Sequence, residues 1–414
     1  MIKSIKVMML PNNKQETKLV ETANAARYAY NWTIAEQMEY FKENGKYMSD
    51  SEIRKLFTVH KQEKKWLYNV SNNATKQAIK DCCNAFMRFS HEKKKPNYKP
   101  YSKKQMTKAE QKGYKLGRYE MQWHPKFKKK GKSELKFYAD TEKTNFSESH
   151  IKLENIAESK RAIRAKANWV KLAEKSRIPQ NVKYTNPRVK YDGIHWWVSI
   201  GFDSEPNGLD LSIDGMGIDV GIKDLAIISD EKQTKYKNIN KTTKIRKQKK
   251  KQRRLQRKVS KKYQLNKEGD SYRKTSNIIK SEKQLLKINQ RLTGIRHNHI
   301  HQATSEIIKQ KPRFIVLEDL NISGMMKNKH LSKAIQEQCL YEFSRQTEYK
   351  SNWNGIKFIK ASRYYPSSKL CSICGNIKKD LKLSDRIYKC ECGNEIDRDY
   401  QAALNLKRYG ELLA

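Results

Sequence analysis

The stretch Gly217-Ile218-Asp219-Val220-Gly221-Ile222-Lys223-Asp224-Leu225 decides how we interpret this chain. It places one carboxylate, Asp219, in an apolar run, with a glycine two residues before it and another two residues after it. A second apolar run follows at once, from Leu225 to Ile228. The two runs predict a β-hairpin. We expect its first strand to present Asp219 at the mouth of a site.

The charge balance of the chain indicates a polyanionic partner. The 414 residues include 88 Lys and Arg against 44 Asp and Glu, which gives a formal net charge of +44. Self-repulsion on this scale favours a partner that neutralises it, and nucleic acid is the usual polyanion. An ordinary basic protein of the ribosomal type is the alternative, but such proteins are usually shorter. The length allows about two to four domains.

Four of the seven cysteines cluster near the C-terminus, at Cys371, Cys374, Cys390 and Cys392. Two close pairs of thiolates suit a tetrahedral zinc ion, which we expect to be structural. A redox pair is the alternative, although it leaves the other two cysteines without a role. The N-terminus lacks the apolar region of a signal peptide, and no apolar run approaches the length of a membrane span. These features predict a soluble protein in a reducing, intracellular compartment.

The first half of the chain alternates between β and α patterns. Residues 1–10 predict a strand, and the pattern Asn13–Glu16 resembles a capping box that opens a helix. Apolar residues then recur every three or four positions through a helical segment, 11–112. From 113 to 205 the pattern becomes β, with clean alternation over 194–202. We expect 1–10 and 113–205 to form one β-barrel-like domain into which 11–112 is inserted.

Basic and aromatic residues mark candidate contacts to nucleic acid. They are Arg27, Tyr28, Asn31 and Trp32 in the first helix, Lys95 and Lys99 in a basic, proline-punctuated stretch, and Lys250, Arg253, Arg254 and Arg257 in a long basic helix. Core packing is the favoured explanation for the aromatic side chains, ahead of base stacking. The proline-punctuated stretch is also compatible with a solvated linker. The density of the basic helix favours nucleic-acid contact.

Acidic residues follow the predicted strands and begin the last helix. Asp219 lies in the hairpin, Glu318 follows the buried strand 313–317, and Asp397 and Asp399 begin a helix. Such positions converge in an α/β sheet. Carboxylates without a nearby histidine suit Mg²⁺ or Mn²⁺, and two such ions about 3.5–4 Å apart support phosphodiester cleavage. At this point either Asp397 or Asp399 completes the set.

Three segments look like the RuvC motifs of the TnpB family, which comprises transposon-encoded RNA-guided nucleases related to miniature type V CRISPR effectors. They are Gly-Ile-Asp-Val-Gly-Ile-Lys-Asp-Leu-Ala at 217–226, Ile-Val-Leu-Glu-Asp-Leu-Asn-Ile at 315–322, and Asp-Arg-Asp-Tyr-Gln-Ala-Ala-Leu-Asn at 397–405. The stretch Tyr-Pro-Ser-Ser-Lys-Leu-Cys-Ser-Ile-Cys-Gly at 365–375 also resembles the family's entry into its zinc site. The opening strand and helix through Trp32 are similar too.

The resemblance implies a catalytic, Mg²⁺-binding set of Asp219, Glu318 and Asp399. Asp399 is preferred to Asp397 by motif register, since the family's catalytic aspartate precedes a typical Asn by two residues, and Gln401 stands there in this chain. The implied fold is multidomain, α+β and α/β. An RNase H-like RuvC nuclease domain (206–366 and 393–414) contains a zinc-ribbon insertion (367–392) that binds target nucleic acid. It follows a β-barrel wedge domain (1–10 and 113–205) with an inserted helical recognition domain (11–112).

The implied function is RNA-guided cleavage of double-stranded DNA next to a short recognised motif, with both strands cut at one site. The implied partners are a guide RNA transcribed from the transposon end and the target DNA, with neither a membrane nor a protein oligomer required. The expected location is the prokaryotic cytoplasm, at the nucleoid. The alternatives are a miniature type V CRISPR effector, an RNA-guided regulator that binds without cutting, and a DNA transposase that acts without RNA. All three acids are present, which argues against the regulator.

Overall fold

The computed structural model describes residues 1–93, 125–157, 159–205, 208, 210–212, 214–382 and 385–413. By its internal contacts the chain divides into two compact units, Met1–Ser204 and Glu205–Ala414. Both units mix helices and strands, so the fold is a mixed α/β one. Among the helices within the described ranges, none is both long enough and apolar enough to cross a bilayer.

The first unit combines helices with an antiparallel sheet. Its elements are β1 (Ile2–Leu10), α1 (Asn13–Asn44), α2 (Asp50–Glu63), a 3₁₀ turn (Lys65–Asn69), α3 (Asn72–Lys93), β2 (Lys136–Tyr138), β3 (Asn145–Phe146), β4 (His150–Lys152), α4 (Lys160–Arg164), β5 (Trp169–Leu172), β6 (Tyr184–Tyr191) and β7 (Trp196–Asp203). The seven strands follow the order β2-β6-β7-β1-β5-β4-β3. β1 pairs with β7 and β5, so the first strand joins the later strands as the sequence predicted.

The capping box of α1 differs from the prediction by one residue. Asn12, not Asn13, is the N-cap, and its side chain accepts the N–H of Gln15 at 2.9 Å while Gln15 accepts the N–H of Asn12 at 3.0 Å. The Gln15 amide also donates to the carbonyl oxygens of Ala167 and Trp169, each at 3.0 Å. These tertiary bonds favour the register with Gln15 at the third position, because Glu16 lacks an N–H donor in its side chain.

The second unit is organised around a mixed sheet. Its elements are β8 (Met216–Val220), β9 (Asp224–Ile228), β10 (Lys235–Lys237), a 3₁₀ turn (Ile239–Lys241), α5 (Thr243–Leu265), β11 (Lys267–Glu268), β12 (Ser271–Tyr272), α6 (Ser276–Lys309), β13 (Phe314–Glu318), α7 (Ile322–Met325), α8 (Ser332–Gln338), α9 (Leu340–Trp353), β14 (Lys357–Ala361), β15 (Ile387–Lys389), β16 (Glu395–Asp397) and α10 (Arg398–Glu411). The main sheet has the order β10-β9-β8-β13-β14. β8 and β9 form the predicted antiparallel hairpin.

The two faces of this sheet pack on different helices. Ile315 and Leu317 of β13 lie in a core with residues of α6 and α9. Val316 lies in a separate core with Leu406 of α10. Because side chains alternate along a strand, Glu318 is directed to the same face as Val316. The carboxylate of Glu318 therefore lies on the side of the sheet that α10 covers.

The same alternation applies to β8, which runs parallel to β13. Ile218 packs in the core with α6 and α9, so its neighbours Gly217 and Asp219 face α10. A side chain at Gly217 would overlap the backbone of α10 at Ala403 and Lys407. Glycine at this position lets the last helix approach the strand that carries Asp219.

Candidate active site

The carboxylates predicted from sequence line one cleft of about 510 Å³ in the second unit. Leu317 is in register with Ile218, so the residues that follow them, Glu318 and Asp219, lie side by side at the carboxyl edge of two parallel strands. Adjacent strands are about 4.8 Å apart. Asp399 reaches the same cleft from the first turn of α10. The sheet and the helix thus bring together three acids that are far apart in sequence.

The three acids of the cleft interact electrostatically. The pKa of Asp219 is raised well above its ordinary value, first by burial and then by the neighbouring carboxylates of Glu318 and Asp399. The guanidinium of Arg398 acts in the opposite direction. Negative charge gathered in this way favours a bound cation, and oxygen-only donors suit Mg²⁺ or Mn²⁺. The donor set therefore fits the predicted ion.

The structure gives Asp397 and Asp399 different environments. Asp397 caps α10, since its Oδ1 accepts the N–H of Asp399 at 2.9 Å and of Tyr400 at 3.2 Å. Its Oδ2 accepts a hydrogen bond from Lys235 Nζ at 2.8 Å. Burial raises the pKa of Asp397, but the hydrogen bonds from Lys235 and the two backbone N–H groups outweigh it and lower the pKa. Asp399 instead lines the cleft and pairs with Arg398 at 3.1 Å.

Basic side chains surround the carboxylates. The cleft is also lined by Lys223, Lys369, Lys382, Arg386 and Arg398. Lys369, Lys382 and Arg386 are exposed to solvent. Arg386 also lies 3.9 Å from Asp399. A cleft lined by both acids and exposed cations fits a phosphodiester backbone, because the cations can hold phosphates on either side of the one that reacts.

The four C-terminal cysteines converge as their spacing predicted. Their sulfur atoms all lie within 4.8 Å of one another. Cys371 Sγ is 3.6 Å from Cys392 Sγ, and Cys374 Sγ is 3.5 Å from Cys390 Sγ. These separations are far longer than a disulfide and close to the roughly 3.8 Å edge of a tetrahedron with Zn–S bonds of about 2.3 Å. The cluster fits a structural zinc ion.

Comparisons with known proteins match segments of both units. Family models match residues 1–46 (helix-turn-helix domain, OrfB_IS605 type), 214–329 (probable transposase, OrfB_IS605) and 341–406 (Cas12f1-like, TNB domain). The putative RNA-guided DNA endonuclease InsQ of Escherichia coli (strain K12) is 24% identical over 94% of this chain and 87% of its own length. The predicted resemblance to the TnpB family is confirmed.

The chain is also similar to a second curated protein and to a solved structure. A putative RNA-guided DNA endonuclease of Streptomyces pristinaespiralis is 29% identical over 56% of this chain and 54% of that protein, so the chain spans about half of this relative. The cryo-EM structure of the Cas12f1-sgRNA-target DNA complex is similar in fold, with a TM-score of 0.54 and 14% identity over 98% of each chain. At this identity the likeness concerns the fold alone.

The family matches enclose the candidate residues of this TnpB-like chain. The probable-transposase match, 214–329, contains Asp219 and Glu318. The TNB-domain match, 341–406, contains Asp399 and the four clustered cysteines. Both candidate centres therefore lie in segments that the chain shares with known families.

The aromatic and polar residues of α1 that were predicted to bind nucleic acid have structural contacts. Tyr28 Oη lies 2.7 Å from His60 Nε2, and Trp32 stacks on the same His60 ring. The Asn31 amide pairs with both backbone groups of Lys128, at 2.8 and 2.9 Å. Arg27 also donates to the Lys128 carbonyl oxygen, at 3.4 Å. A role in nucleic-acid binding stays a prediction for these residues.

The structure describes only some of the basic residues that were predicted to bind nucleic acid. Lys95 and Lys99 lie outside the described residues. Lys250, Arg253, Arg254 and Arg257 all lie on α5 and are exposed. Their spacing of three or four residues gathers them toward one side of the helix. This side of α5 offers a row of cations at helical spacing, which suits a phosphate backbone.

Sequence reasoning assigned no structural role to four polar residues beside the two centres. They are Ser367, Asn394, Gln401 and Asn405, and all are buried. One signal pointed to two of them, because Gln401 and Asn405 are four residues apart, on one face of a helix whose other buried residues include Ala402, Ala403 and Leu406. Buried amides among apolar residues usually have defined hydrogen-bond partners.

Proposed function

We propose that this TnpB-like chain is an RNA-guided DNA endonuclease that recognises a short motif beside its target and cuts both strands of the duplex at one site. The observation that carries the proposal is the convergence of Asp219, Glu318 and Asp399 in one cleft with a basic rim. Two relatives similar to this chain bear the name putative RNA-guided DNA endonuclease, which supports the same activity.

The proposal includes a finer assignment of domains. The order β10-β9-β8-β13-β14, with acids on β8, β13 and the helix that covers them, supports an RNase H-like RuvC nuclease domain formed by 206–366 and 393–414. The cysteine segment 367–392 would be its zinc-ribbon insertion. In the first unit, the sheet would be the wedge domain (1–10 and 113–205), and 11–112 would be the recognition domain.

Asp219, Glu318 and Asp399 would hold two Mg²⁺ ions. Mn²⁺ could take the place of Mg²⁺. Bound divalent ions activate water and stabilise the leaving oxygen of a phosphodiester. Basic side chains of the cleft would position the substrate and balance the negative charge. Lys369, Lys382 and Arg386 would bind phosphates on either side of the scissile one and hold the strand in line with the carboxylates. Arg398 would limit the repulsion within the cleft.

A guide RNA transcribed from the transposon end would provide sequence specificity by pairing with the target strand, while the protein grips backbone phosphates. The net charge of +44 and the exposed cations of α5 support this division of labour. Because the protein contacts phosphates, its own grip on the paired strands does not depend on their sequence, and the guide RNA selects the target. We propose that the protein acts in the prokaryotic cytoplasm, held at the nucleoid by DNA, and that it needs no partner subunit.

The test is cleavage by the purified ribonucleoprotein. The complex with its copurifying RNA is incubated with target duplex in Mg²⁺, and we expect both strands to be cut and the activity to disappear after RNase treatment. Asp219→Asn should lower the cleavage rate by more than the 10- to 100-fold typical of outer hydrogen-bonding partners of a metal, because it changes a ligand itself. Target affinity should stay unchanged, since Asp219 is not a phosphate contact.

The matched control is Asp319→Asn. Asp319 is the sequence neighbour of Glu318, but its side chain is only half-buried and pairs with Arg363 at 2.7 Å. It should cut at the wild-type rate. Tight RNA-dependent binding without cutting by the wild type would instead identify a regulator. Cleavage that survives RNase would identify a transposase that acts without RNA.

A further inference from the structure

Glu318 has a hydrogen-bond partner outside the sheet. The hydroxyl of Ser367 donates to Glu318 Oε1, and only 4% of Ser367 is exposed. Ser367 lies in the loop that leaves β14 and leads to Cys371. The contact therefore joins a candidate metal ligand to the segment that enters the cysteine cluster.

Two buried amides of α10 hold this loop. The Asn405 side chain donates to the carbonyl oxygens of Ser367 at 2.7 Å and of Leu370 at 2.6 Å. The Gln401 side chain donates to the same Leu370 oxygen at 2.7 Å. Neither amide residue is exposed. Since Asp399 lies on the first turn of α10, the helix that presents one acid also holds the loop that contacts another.

The contacts continue from Gln401 to the cysteine cluster. Gln401 Oε1 accepts hydrogen bonds from Ser372 Oγ at 2.8 Å and from Asn394 Nδ2 at 3.3 Å. The Asn394 amide also lies 3.4 Å from Cys371 Sγ. Hydrogen bonds and short loop segments thus connect the thiol of Cys371 with the carboxylate of Glu318.

This geometry has a physical consequence for metal binding. A glutamate side chain has three rotatable bonds, and ordering it costs conformational entropy each time an ion binds. A hydroxyl that already holds Oε1 fixes the carboxylate and leaves Oε2 for a ligand. Partners of this kind typically change metal affinity 10- to 100-fold when they are removed.

We propose that Ser367 is a positioning residue for Glu318, and that the cysteine cluster keeps Ser367 in place through Gln401 and Asn405. Loading of the cluster is then coupled to divalent-ion affinity in the cleft. The inference rests on the proposed function, because it takes Glu318 to be a ligand of the cleft ion. Gln401 is part of the coupling, because its side chain contacts both Leu370 and Asn394.

The experiment measures Mn²⁺ affinity of the full ribonucleoprotein without target DNA, from the electron paramagnetic resonance signal of free Mn²⁺. We expect Ser367→Ala to weaken binding about 10- to 100-fold, while the zinc content and the affinity for target DNA stay as in the wild type. Ser367→Thr keeps the hydroxyl and should restore most of the Mn²⁺ affinity. Ser212→Ala is the matched control, since Ser212 is exposed and donates to the Asp214 carbonyl oxygen at 3.1 Å.

A second variant tests whether the cysteine cluster affects Mn²⁺ binding in the cleft. Cys374 is an exposed member of the cluster, and Cys374→Ser should weaken Mn²⁺ binding in the same direction as Ser367→Ala. Wild-type Mn²⁺ affinity in Cys374→Ser would overturn the coupling.

The remaining outcomes separate the inference from the function on which it rests. Unchanged Mn²⁺ affinity in Ser367→Ala, or loss of zinc from that variant with no rescue by Ser367→Thr, would overturn the positioning role. A wild-type protein whose Mn²⁺ binding does not respond to Asp219→Asn would count against the proposed metal site itself. Mn²⁺ binding by the wild type and by Asp219→Asn is therefore measured before the Ser367 variants are compared.

Discussion

The cysteine cluster and the carboxylate cleft are two candidate metal centres in the same unit, and the chain forms them in different ways. All four thiols come from one local segment, 371–392, carried by a short loop and the β15–β16 hairpin. The three acids come from β8, β13 and α10, and they meet only when the sheet is in register and the last helix packs on it. One centre thus depends on local spacing, and the other depends on the fold.

The largest expected effect comes from removing zinc from the cysteine cluster. β15 and β16 have three residues each, and the cluster region has few fully buried side chains, among them Cys371 and Tyr388. Structural zinc contributes folding free energy to such small segments directly. We expect Cys371→Ser, or a zinc chelator, to abolish hydrogen-exchange protection across 367–392, while β8 and β13 stay protected.

The matched control for the cluster is Cys339→Ser. Cys339 is a half-buried thiol between α8 and α9, and its Sγ lies 3.4 Å from the Gln336 carbonyl oxygen. Elemental analysis should find zinc in the control and not in Cys371→Ser. Equal protection of 367–392 in both variants would show that the segment folds without its metal.

A smaller effect is expected where the cleft depends on close packing. Gly217→Ala places a methyl group against the backbone of α10, which cannot move aside as a side chain can. Overpacking of this kind typically costs about 1–3 kcal/mol. The displaced helix would also carry Asp399 away from Asp219. We expect a lower midpoint in urea unfolding and slower cleavage, with zinc content unchanged.

Gly221→Ala is the matched control, since Gly221 directly follows the strand that contains Gly217. A Cβ at Gly221 would have its nearest neighbour, the Asp224 carbonyl oxygen, at 3.5 Å, which is an ordinary contact. This variant should match the wild type in its urea-unfolding midpoint. If Gly217→Ala also matched the wild type, the packing of α10 on β8 would not be what brings the acids together.

Features that depend on local spacing could be predicted from the sequence. The cysteine spacing and the hairpin around Asp219 are local patterns, and the structure has both. Glu318 could be placed at the end of a strand, and parallel pairing brought it beside Asp219. A resemblance to known motifs indicated Asp399, and the cleft contains it.

The features that could not be predicted depend on contacts between distant segments. Ser367 contacts Glu318 only because the loop after β14 folds back under α10. The register of the α1 cap depends on Gln15 reaching the backbone at Ala167. The Asn31 amide pairs with the backbone of Lys128, which is 97 residues away in sequence. No local pattern carries such information.

The smallest expected effect separates Asp397 from Asp399. Asp397 caps α10, so Asp397→Ala should cost about 1 kcal/mol of stability, whereas Asn caps equally well and Asp397→Asn should cost little. Both variants should still cut, because the acid in the cleft is Asp399. Asp399→Asn should instead lose cleavage and keep the wild-type melting temperature. If Asp397→Asn lost cleavage at wild-type stability, Asp397 would be the ligand, and the cleft would take its third acid from the cap rather than from the first turn.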